Sequence, residues 1–243
     1  PAPRPPPPIR QPVLPSRRRT DRQEVADLRY TPISADEFAA LEGLDDWRYV
    51  LGALHATFRL ESFTAAASFA AELAQLADLA DHHPEIDLRY PGVVHVVSST
   101  HVLNRTSTHD VDLARLVSGL ATQVGAISDP RAAQAVEIAI DTVDADRIRP
   151  FWAAVLGYRD VDGVLVDPRR IGPPMWFQRT EVPRPERSRF HIDVSVAHDE
   201  APARLDAALA AGGRLVTDRF ARSWWVLADA DGNEACICTW QDR

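Results

Sequence analysis

The chain has 243 residues, of which 45% are hydrophobic, and it carries a formal net charge of −8 at pH 7. A chain of this length folds into one or two domains, and this apolar content suffices for packed cores. Its acidity argues against a nucleic-acid partner and its short apolar runs against a membrane span, which takes roughly 20 apolar residues, so we expect a cytoplasmic protein.

Residues 1–27 are rich in proline and arginine. Such a segment cannot bury enough apolar surface to fold, so we predict a disordered tail, with a docking peptide or a weak nucleic-acid tether as the alternative. The first 22 residues hold six arginines and one aspartate. The rest of the chain is therefore more acidic than the net charge indicates.

Residues 28–122 show a helix-and-strand pattern, which is followed by a linker-like stretch over residues 125–130. Ser34 followed by Glu37 is a helix start signal, because each side chain can cap the other residue's backbone amide. Alternating or β-branched residues indicate strands, and apolar residues at helical spacing indicate helices. The predicted elements are, in chain order, a helix from Ser34, a strand over residues 47–60, a helix over 63–80, a strand over 92–100 and a helix from 107 to about 120.

Five of the eight histidines lie between residues 82 and 109, a density that indicates metal binding or acid–base chemistry. The adjacent side chains of His82 and His83 diverge, which suits proton transfer better than one tetrahedral ion. Both follow a predicted helix C-terminus, where the helix dipole favours a cation. Asp110 lies in the first turn of the next helix, where backbone amides keep a carboxylate ionised. We expect an ionised aspartate there to fix the tautomer of His101, which follows the valine-rich strand.

The two remaining histidines of this cluster have simpler interpretations. His95 alternates with valines, which predicts a packed or interface position. His109 lies in the first turn of a predicted helix, where we expect it to be solvated. We assign neither of them a role in the chemistry.

The chemically interesting residues follow one another in a recognisable pattern. The sequence reads His82-His83-Pro84-Glu85, then Tyr90, then a valine-rich strand that ends in Ser99-Thr100-His101, then Asp110-Val111-Asp112-Leu113-Ala114. This pattern resembles the signature of the pterin-4a-carbinolamine dehydratases, although the loop over residues 102–107 departs from it. The resemblance implies an α+β domain over residues 28–122, with helices on one face of a four-stranded antiparallel sheet, and a homo-oligomer.

The resemblance also implies a reaction. It is the loss of water from a small-molecule pterin, 4a-hydroxytetrahydropterin (4a-hydroxytetrahydrobiopterin), to give quinonoid dihydropterin without metal or cofactor. The residues that match the family's active-site positions are His82, His83, His101 and Asp110. In this interpretation His101 and His82 transfer the protons, His83 holds the pterin and Asp110 orients a histidine. Acid–base catalysis of this kind contributes about 10²–10⁴-fold.

The second half of the chain, residues 134–242, repeats a pattern of strand, helix and further strands. Residues 137–140 are echoed 54 residues later by residues 191–194, which indicates an internal duplication. This half resembles a glyoxalase-like domain of the vicinal-oxygen-chelate superfamily. The resemblance implies two βαβββ modules that form a cleft.

Metal-using members of that superfamily place ligands on the first strand of each module and on a late strand. Those positions correspond here to Glu137, His191 and Cys236, which implies a divalent metal in the C-terminal domain. Glu234, two residues before Cys236, is an alternative carboxylate ligand. A metal-free binding cleft is the alternative to a metal site.

Three functions are compatible with these patterns. The first is a dehydratase with an appended domain, which the combination of His82, His83, His101 and Asp110 favours. The second is a metal-dependent enzyme of the glyoxalase or dioxygenase type that acts through the C-terminal domain. The third is a protein that binds small molecules without turning them over, in the clefts of both halves or through the C-terminal domain.

Overall fold

The computed structural model of the chain describes residues 29–181, 191–196, 199–239 and 241–242. The chain divides into two compact units, of which one runs to Gln134 and the other begins at Ala135. The tail predicted over residues 1–27 lies outside the described residues. Within the described ranges, every helix is too short or too polar to cross a membrane.

The described part of the first unit combines helices with one antiparallel sheet. Its elements, in chain order, are α1 (Ala35–Ala39), β1 (Arg48–Val50), β2 (Ala53–Arg59), α2 (Phe63–Ala80), β3 (Glu85–Arg89), β4 (Val93–Ser98), α3 (Thr108–Gln123), β5 (Ile127–Ser128) and a 3₁₀ helix over Pro130–Ala132. This order agrees with the predicted alternation of helices and strands.

Serine caps fix the starts of all three of these α-helices. Ser34 and Glu37 form the predicted capping box of α1, and Ser62 accepts a hydrogen bond from a backbone amide of α2. Ser107 forms a second capping box, in which Asp110 is the third residue of α3. The capping serines satisfy amides that the helix itself leaves without partners. The predicted first-turn position of Asp110 is therefore confirmed.

The sheet has the strand order β1-β2-β4-β3 with antiparallel pairs throughout, and the short β5 adds to it by pairing with β2. The expected four-stranded antiparallel arrangement is thus confirmed and extended. The single strand predicted over residues 47–60 is instead two strands, because Leu51 and Gly52 form a turn with left-handed φ of 49° and 80°. The sequence pattern did not predict β3, where charged residues alternate with the core-facing Ile86 and Leu88.

One face of the sheet packs against helices α2 and α3. Leu54 and Phe58 of β2 are fully buried, and the Phe58 ring meets Phe69 of α2 edge-on with centroids 5.5 Å apart. Because side chains alternate along a strand, His55 and His95 lie on the opposite face. There the His55 Nδ1 and the His95 Nε2 are 3.3 Å apart. The predicted packed position of His95 is therefore correct.

The second unit consists of two βαβββ modules. The first contains β6 (Ile138–Thr142), α4 (Ala145–Leu156), β7 (Arg159–Val161), β8 (Val164–Val166) and β9 (Met175–Arg179), and the second contains β10 (Ile192–Ser195), α5 (Ala201–Ala210), β11 (Arg214–Thr217), β12 (Trp224–Ala228) and β13 (Glu234–Cys238). The sheet orders are β6-β9-β8-β7 and β10-β13-β12-β11, with the first and last strands of each module parallel. The expected duplication is confirmed.

The two modules also share a turn that is stabilised by a buried aspartate. Asp167 follows the third strand of the first module and Asp229 follows that of the second, and both are buried. Each carboxylate accepts hydrogen bonds from backbone amides of the turn that it begins. Asp229 also accepts a hydrogen bond of 2.9 Å from the Trp152 indole of α4, which ties a helix of one module to a turn of the other.

Candidate active site

Asp110 lies fully buried at the start of α3, surrounded by hydrogen-bond donors. Its carboxylate accepts from the hydroxyls of Ser98 (2.6 Å) and Thr100 (2.7 Å) and from the backbone amide of Ser107 (2.7 Å). The His82 Nε2 lies 2.7 Å from the same carboxylate. Burial by itself would raise the pKa of Asp110, but the hydrogen bonds from His82, Ser98 and Ser107 outweigh it and hold that pKa below its ordinary value.

The end of α2 places His82 against this carboxylate. Asp81 takes a left-handed conformation with φ of 48°, and the backbone amide of His82 then donates to the carbonyl of Ala77 at 3.1 Å. This C-terminal turn directs the imidazole inward, where it is 7% exposed. Because an ionised carboxylate can only accept, the His82 Nε2 carries the shared proton and Nδ1 is the acceptor of the neutral ring. Asp110 thus sets the tautomer of His82.

The other two predicted histidines have carboxylate partners of their own. The His83 Nε2 lies 3.0 Å from Asp78 in the last turn of α2, and the His101 Nε2 lies 3.2 Å from Glu85 at the start of β3. Both imidazoles are open to solvent, with side-chain exposures of 58% and 46%.

The structure therefore unites His82 with Asp110 and places His83 and His101 beside other carboxylates, those of Asp78 and Glu85. Within the described part of the chain, no hydrogen bond joins any of these three histidines to another. The expected contact between His101 and an aspartate is also not formed. The turn after β4 carries His101 to Glu85, whereas Ser98 and Thr100 before it point to Asp110.

Sequence reasoning missed further residues of this region. His109 is half-buried, its ring packs edge-on against Tyr30 with centroids 4.8 Å apart, and its Nδ1 is buried without a hydrogen-bond partner. The His109 and His82 rings are 5.9 Å apart. The expectation of a solvated His109 is therefore wrong, because Tyr30, from the segment before α1, covers it. Glu85 is part of the quoted motif, but nothing local to it indicates a pairing with His101.

A second polar cluster lies in the other unit, on the neighbouring parallel strands β10 and β13. The His191 Nδ1 lies 2.9 Å from Asp193 and 3.9 Å from the Cys236 sulfur, and the ligand atoms of all three residues lie within 4.8 Å of one another. Asp193 and Cys236 are register partners across the two strands. Glu137, the third residue expected from the sequence, is exposed just before β6 and is not in this group.

The cluster fits a divalent ion by its chemistry. Imidazole, carboxylate and thiol together form a donor set that binds zinc. Burial, and after it the hydrogen bond to Asp193, raises the pKa of the Cys236 thiol to about 12. The thiol is therefore protonated in the absence of a cation, and a bound metal ion would replace that proton.

Comparison with known proteins separates the two units. The family model for pterin 4 alpha carbinolamine dehydratase matches residues 31–120, and the model for a glyoxalase-like domain matches residues 137–238. A protein of Nocardia farcinica, provisionally named a pterin-4-alpha-carbinolamine dehydratase, is 37% identical over 93 residues, which are 37% of this chain and 97% of that protein. One from Rhodopseudomonas palustris, named in the same way, is 37% identical over 91 residues, which are 37% of this chain and 89% of that protein.

The chain belongs to the pterin-4a-carbinolamine dehydratase family. Its first unit is the dehydratase unit, and its second unit is a glyoxalase-like domain.

Solved structures are similar to parts of this dehydratase-family chain. The transcriptional coactivator/pterin dehydratase of Brucella melitensis shares 31% identity, with a TM-score of 0.35, and covers 37% of this chain and 99% of its own. A glyoxalase/bleomycin resistance protein/dioxygenase family enzyme of Burkholderia phytofirmans shares 18% identity, with a TM-score of 0.37, and covers 44% of this chain and 98% of its own.

Proposed function

We propose that the dehydratase unit is a 4a-hydroxytetrahydrobiopterin dehydratase, a hydro-lyase of tetrahydrobiopterin metabolism that needs no metal or cofactor. Its substrate is a 4a-hydroxytetrahydropterin and its products are quinonoid dihydropterin and water. The observation that carries this proposal is the buried pair of His82 and Asp110 in a chain of this family. A buried carboxylate that fixes one imidazole tautomer supports proton transfer at a defined atom.

The reaction requires two proton transfers. The bond from C4a to the hydroxyl breaks, the departing oxygen gains a proton and leaves as water, and the ring nitrogen next to C4a loses its proton as the C=N double bond forms. The Nδ1 of His82, left as the acceptor by Asp110, suits the removal of the ring proton. His101, whose ring Glu85 orients, suits protonation of the hydroxyl, and His83 holds the pterin.

The proposal is tested by following dehydration of chemically prepared 4a-hydroxytetrahydropterin by ultraviolet absorbance. The full-length protein is expected to exceed the spontaneous rate. His82→Ala is expected to lose most of that excess, whereas a variant of the exposed Asp112, on the same helix as Asp110, retains it.

We also propose that the protein is a cytoplasmic homo-oligomer. The support for self-association is a leucine-lined groove between α2 and α3. Leu79 in this groove is 85% exposed and Leu116 is 49% exposed. Glu72, Gln75 and Gln123 also line the groove, so that exposed leucines are surrounded by polar side chains, an arrangement typical of protein–protein contacts. The leucines that line the groove are Leu76, Leu79, Leu116 and Leu120.

A second candidate function concerns the glyoxalase-like unit. The cluster of His191, Asp193 and Cys236 supports metal-dependent chemistry of the glyoxalase or dioxygenase type there. When bound, a divalent ion would polarise an oxygen of the substrate. Small-molecule binding without turnover is the remaining alternative, and it predicts ligand affinity that is independent of added metal.

A further inference from the structure

The parallel pairing of β10 with β13 creates a three-residue cluster in the glyoxalase-like unit. Register partners Asp193 and Cys236 stand side by side, and His191 shares a strand face with Asp193 because the two residues are two positions apart. Cys236 is the buried member of the cluster, whereas the side chains of His191 and Asp193 are 51% and 56% exposed. The cluster is therefore accessible to solvent from the side of His191 and Asp193.

We infer that His191, Asp193 and Cys236 are the protein ligands of a zinc ion whose fourth position is open. The inference rests on the second candidate function for the role of the ion. It goes further than that candidate because it names the metal and its ligands. It assigns the carboxylate ligand to Asp193 in place of Glu137.

The distances between donor atoms suit such an ion. Ligands bound at 2.0–2.3 Å to a tetrahedral zinc lie roughly 3.3–3.8 Å from one another. The observed separations are 2.9 Å between His191 and Asp193 and 3.9 Å between His191 and Cys236. Shifts of a few tenths of an ångström in two exposed side chains bring these pairs into range. On binding, the Cys236 thiol would release its proton to solvent, and the neutral His191 ring would carry its proton on Nε2, so that Nδ1 is free to bind the ion.

The identity of the ligands selects the metal. A thiolate with an imidazole favours zinc over manganese or magnesium, which prefer oxygen ligands. Three protein ligands and one open position are the arrangement of catalytic zinc sites, in which water or substrate takes the fourth place. The open side lies where His191 and Asp193 face solvent, so that a ligand can reach the ion.

The geometry distinguishes Asp193 from Glu137. Asp193 lies on β10, in the same sheet as Cys236, whereas Glu137 precedes β6, which belongs to the other sheet. Among the described residues, the group within metal-binding distance contains Asp193 and excludes Glu137. Asp193→Asn should therefore weaken metal binding, and Glu137→Gln should leave it unchanged.

The experiment uses the full-length protein, stripped with a chelator and then titrated with zinc or with cobalt as a spectroscopic substitute. Wild type is expected to retain one zinc per chain after dialysis, measured by elemental analysis. The cobalt form is expected to show a thiolate charge-transfer band that Cys236→Ser abolishes and Cys238→Ser keeps. Loss of an outer-shell partner already weakens metal binding about 10–100-fold, so Asp193→Asn should cost at least about 100-fold.

Three outcomes overturn the inference: no zinc retained by wild type, a thiolate band that persists in Cys236→Ser, or equal losses for Glu137→Gln and Asp193→Asn. Circular dichroism shows whether Cys236→Ser folds. If it does not fold, Asp193→Asn still tests the inference, because Asp193 is exposed. A failure of zinc binding leaves the dehydratase proposal intact, because that activity is assayed separately with and without chelator. Zinc binding without turnover of any glyoxalase or dioxygenase substrate would reject the second candidate function and keep the site.

Discussion

The His82 Nε2 lies 2.7 Å from the Asp110 Oδ1, and both side chains are almost fully buried. This contact joins the turn that follows α2 to the first turn of α3, two places that are 28 residues apart in the chain. The carboxylate of Asp110, whose pKa is held below its ordinary value, fixes the tautomer of His82. The predictions for the dehydratase unit depend on this pair.

Asp110→Asn should lower the rate of pterin dehydration by about 10²-fold, because the amide can present its NH₂ group to His82 and select the other tautomer. The measurement is the turnover rate with 4a-hydroxytetrahydropterin. Asp112→Asn is the matched control, since Asp112 lies on the same helix but its side chain is 76% exposed. Equal losses in the two variants would show that the carboxylate at position 110 has no special part in the reaction.

The same aspartate should stabilise the fold only where it is ionised. Its pKa is lower in the folded chain than the ordinary value of about 3.9, so its contribution is complete above that value and is lost as the pH falls through the lower, folded pKa. The acid unfolding of wild type should therefore be steeper below about pH 4 than that of Asp110→Asn. Circular dichroism at a series of pH values measures this difference, and parallel curves would contradict it.

His55 should make the dehydratase unit sensitive to mild acid. Burial, and after it the neighbouring His95, lowers the pKa of His55 to about 4. In the unfolded chain His55 takes up a proton at about pH 6.5, whereas in the folded chain it stays neutral down to about pH 4. The free energy of unfolding therefore decreases as the pH falls through this window. Replacement of His55 by Gln should flatten the dependence of the melting temperature on pH there. The exposed His83→Gln serves as the control and should keep the wild-type slope.

The groove between α2 and α3 should mediate self-association. Leu116→Glu should reduce the mass measured by light scattering after size-exclusion chromatography, because burying a charge in an apolar contact is unfavourable. Leu51→Glu is a matched control, because Leu51 is also 49% exposed but lies in the turn between β1 and β2. An unchanged mass for Leu116→Glu, or an equal change for both variants, would place the contact elsewhere.

Local signals in the sequence predicted much of the dehydratase unit. The Ser107–Asp110 capping box depends on residues three apart, and the burial of alternate residues in β4 depends on the period of a strand. Both features depend only on residues that are close together in the sequence. The strand β3 was missed because its charged residues conceal a short alternation.

The pairing of histidines with carboxylates could not be predicted in this way. Glu85 meets His101 because β3 lies beside β4, and Asp110 meets His82 because α3 follows the same strand. Asp193 and Cys236 are 43 positions apart in the chain, and the register of β10 against β13 places them side by side. Such contacts are set by tertiary packing, and the sequence names only the candidates.

The most direct measurement is a stopped-flow ultraviolet assay with chemically prepared 4a-hydroxytetrahydropterin. It compares the spontaneous reaction with wild type, His82→Ala and His101→Ala. We predict that wild type accelerates the loss of water and that each histidine variant falls most of the way back to the spontaneous rate. A wild-type rate equal to the spontaneous one, or full activity in both variants, would contradict the proposed acid–base chemistry.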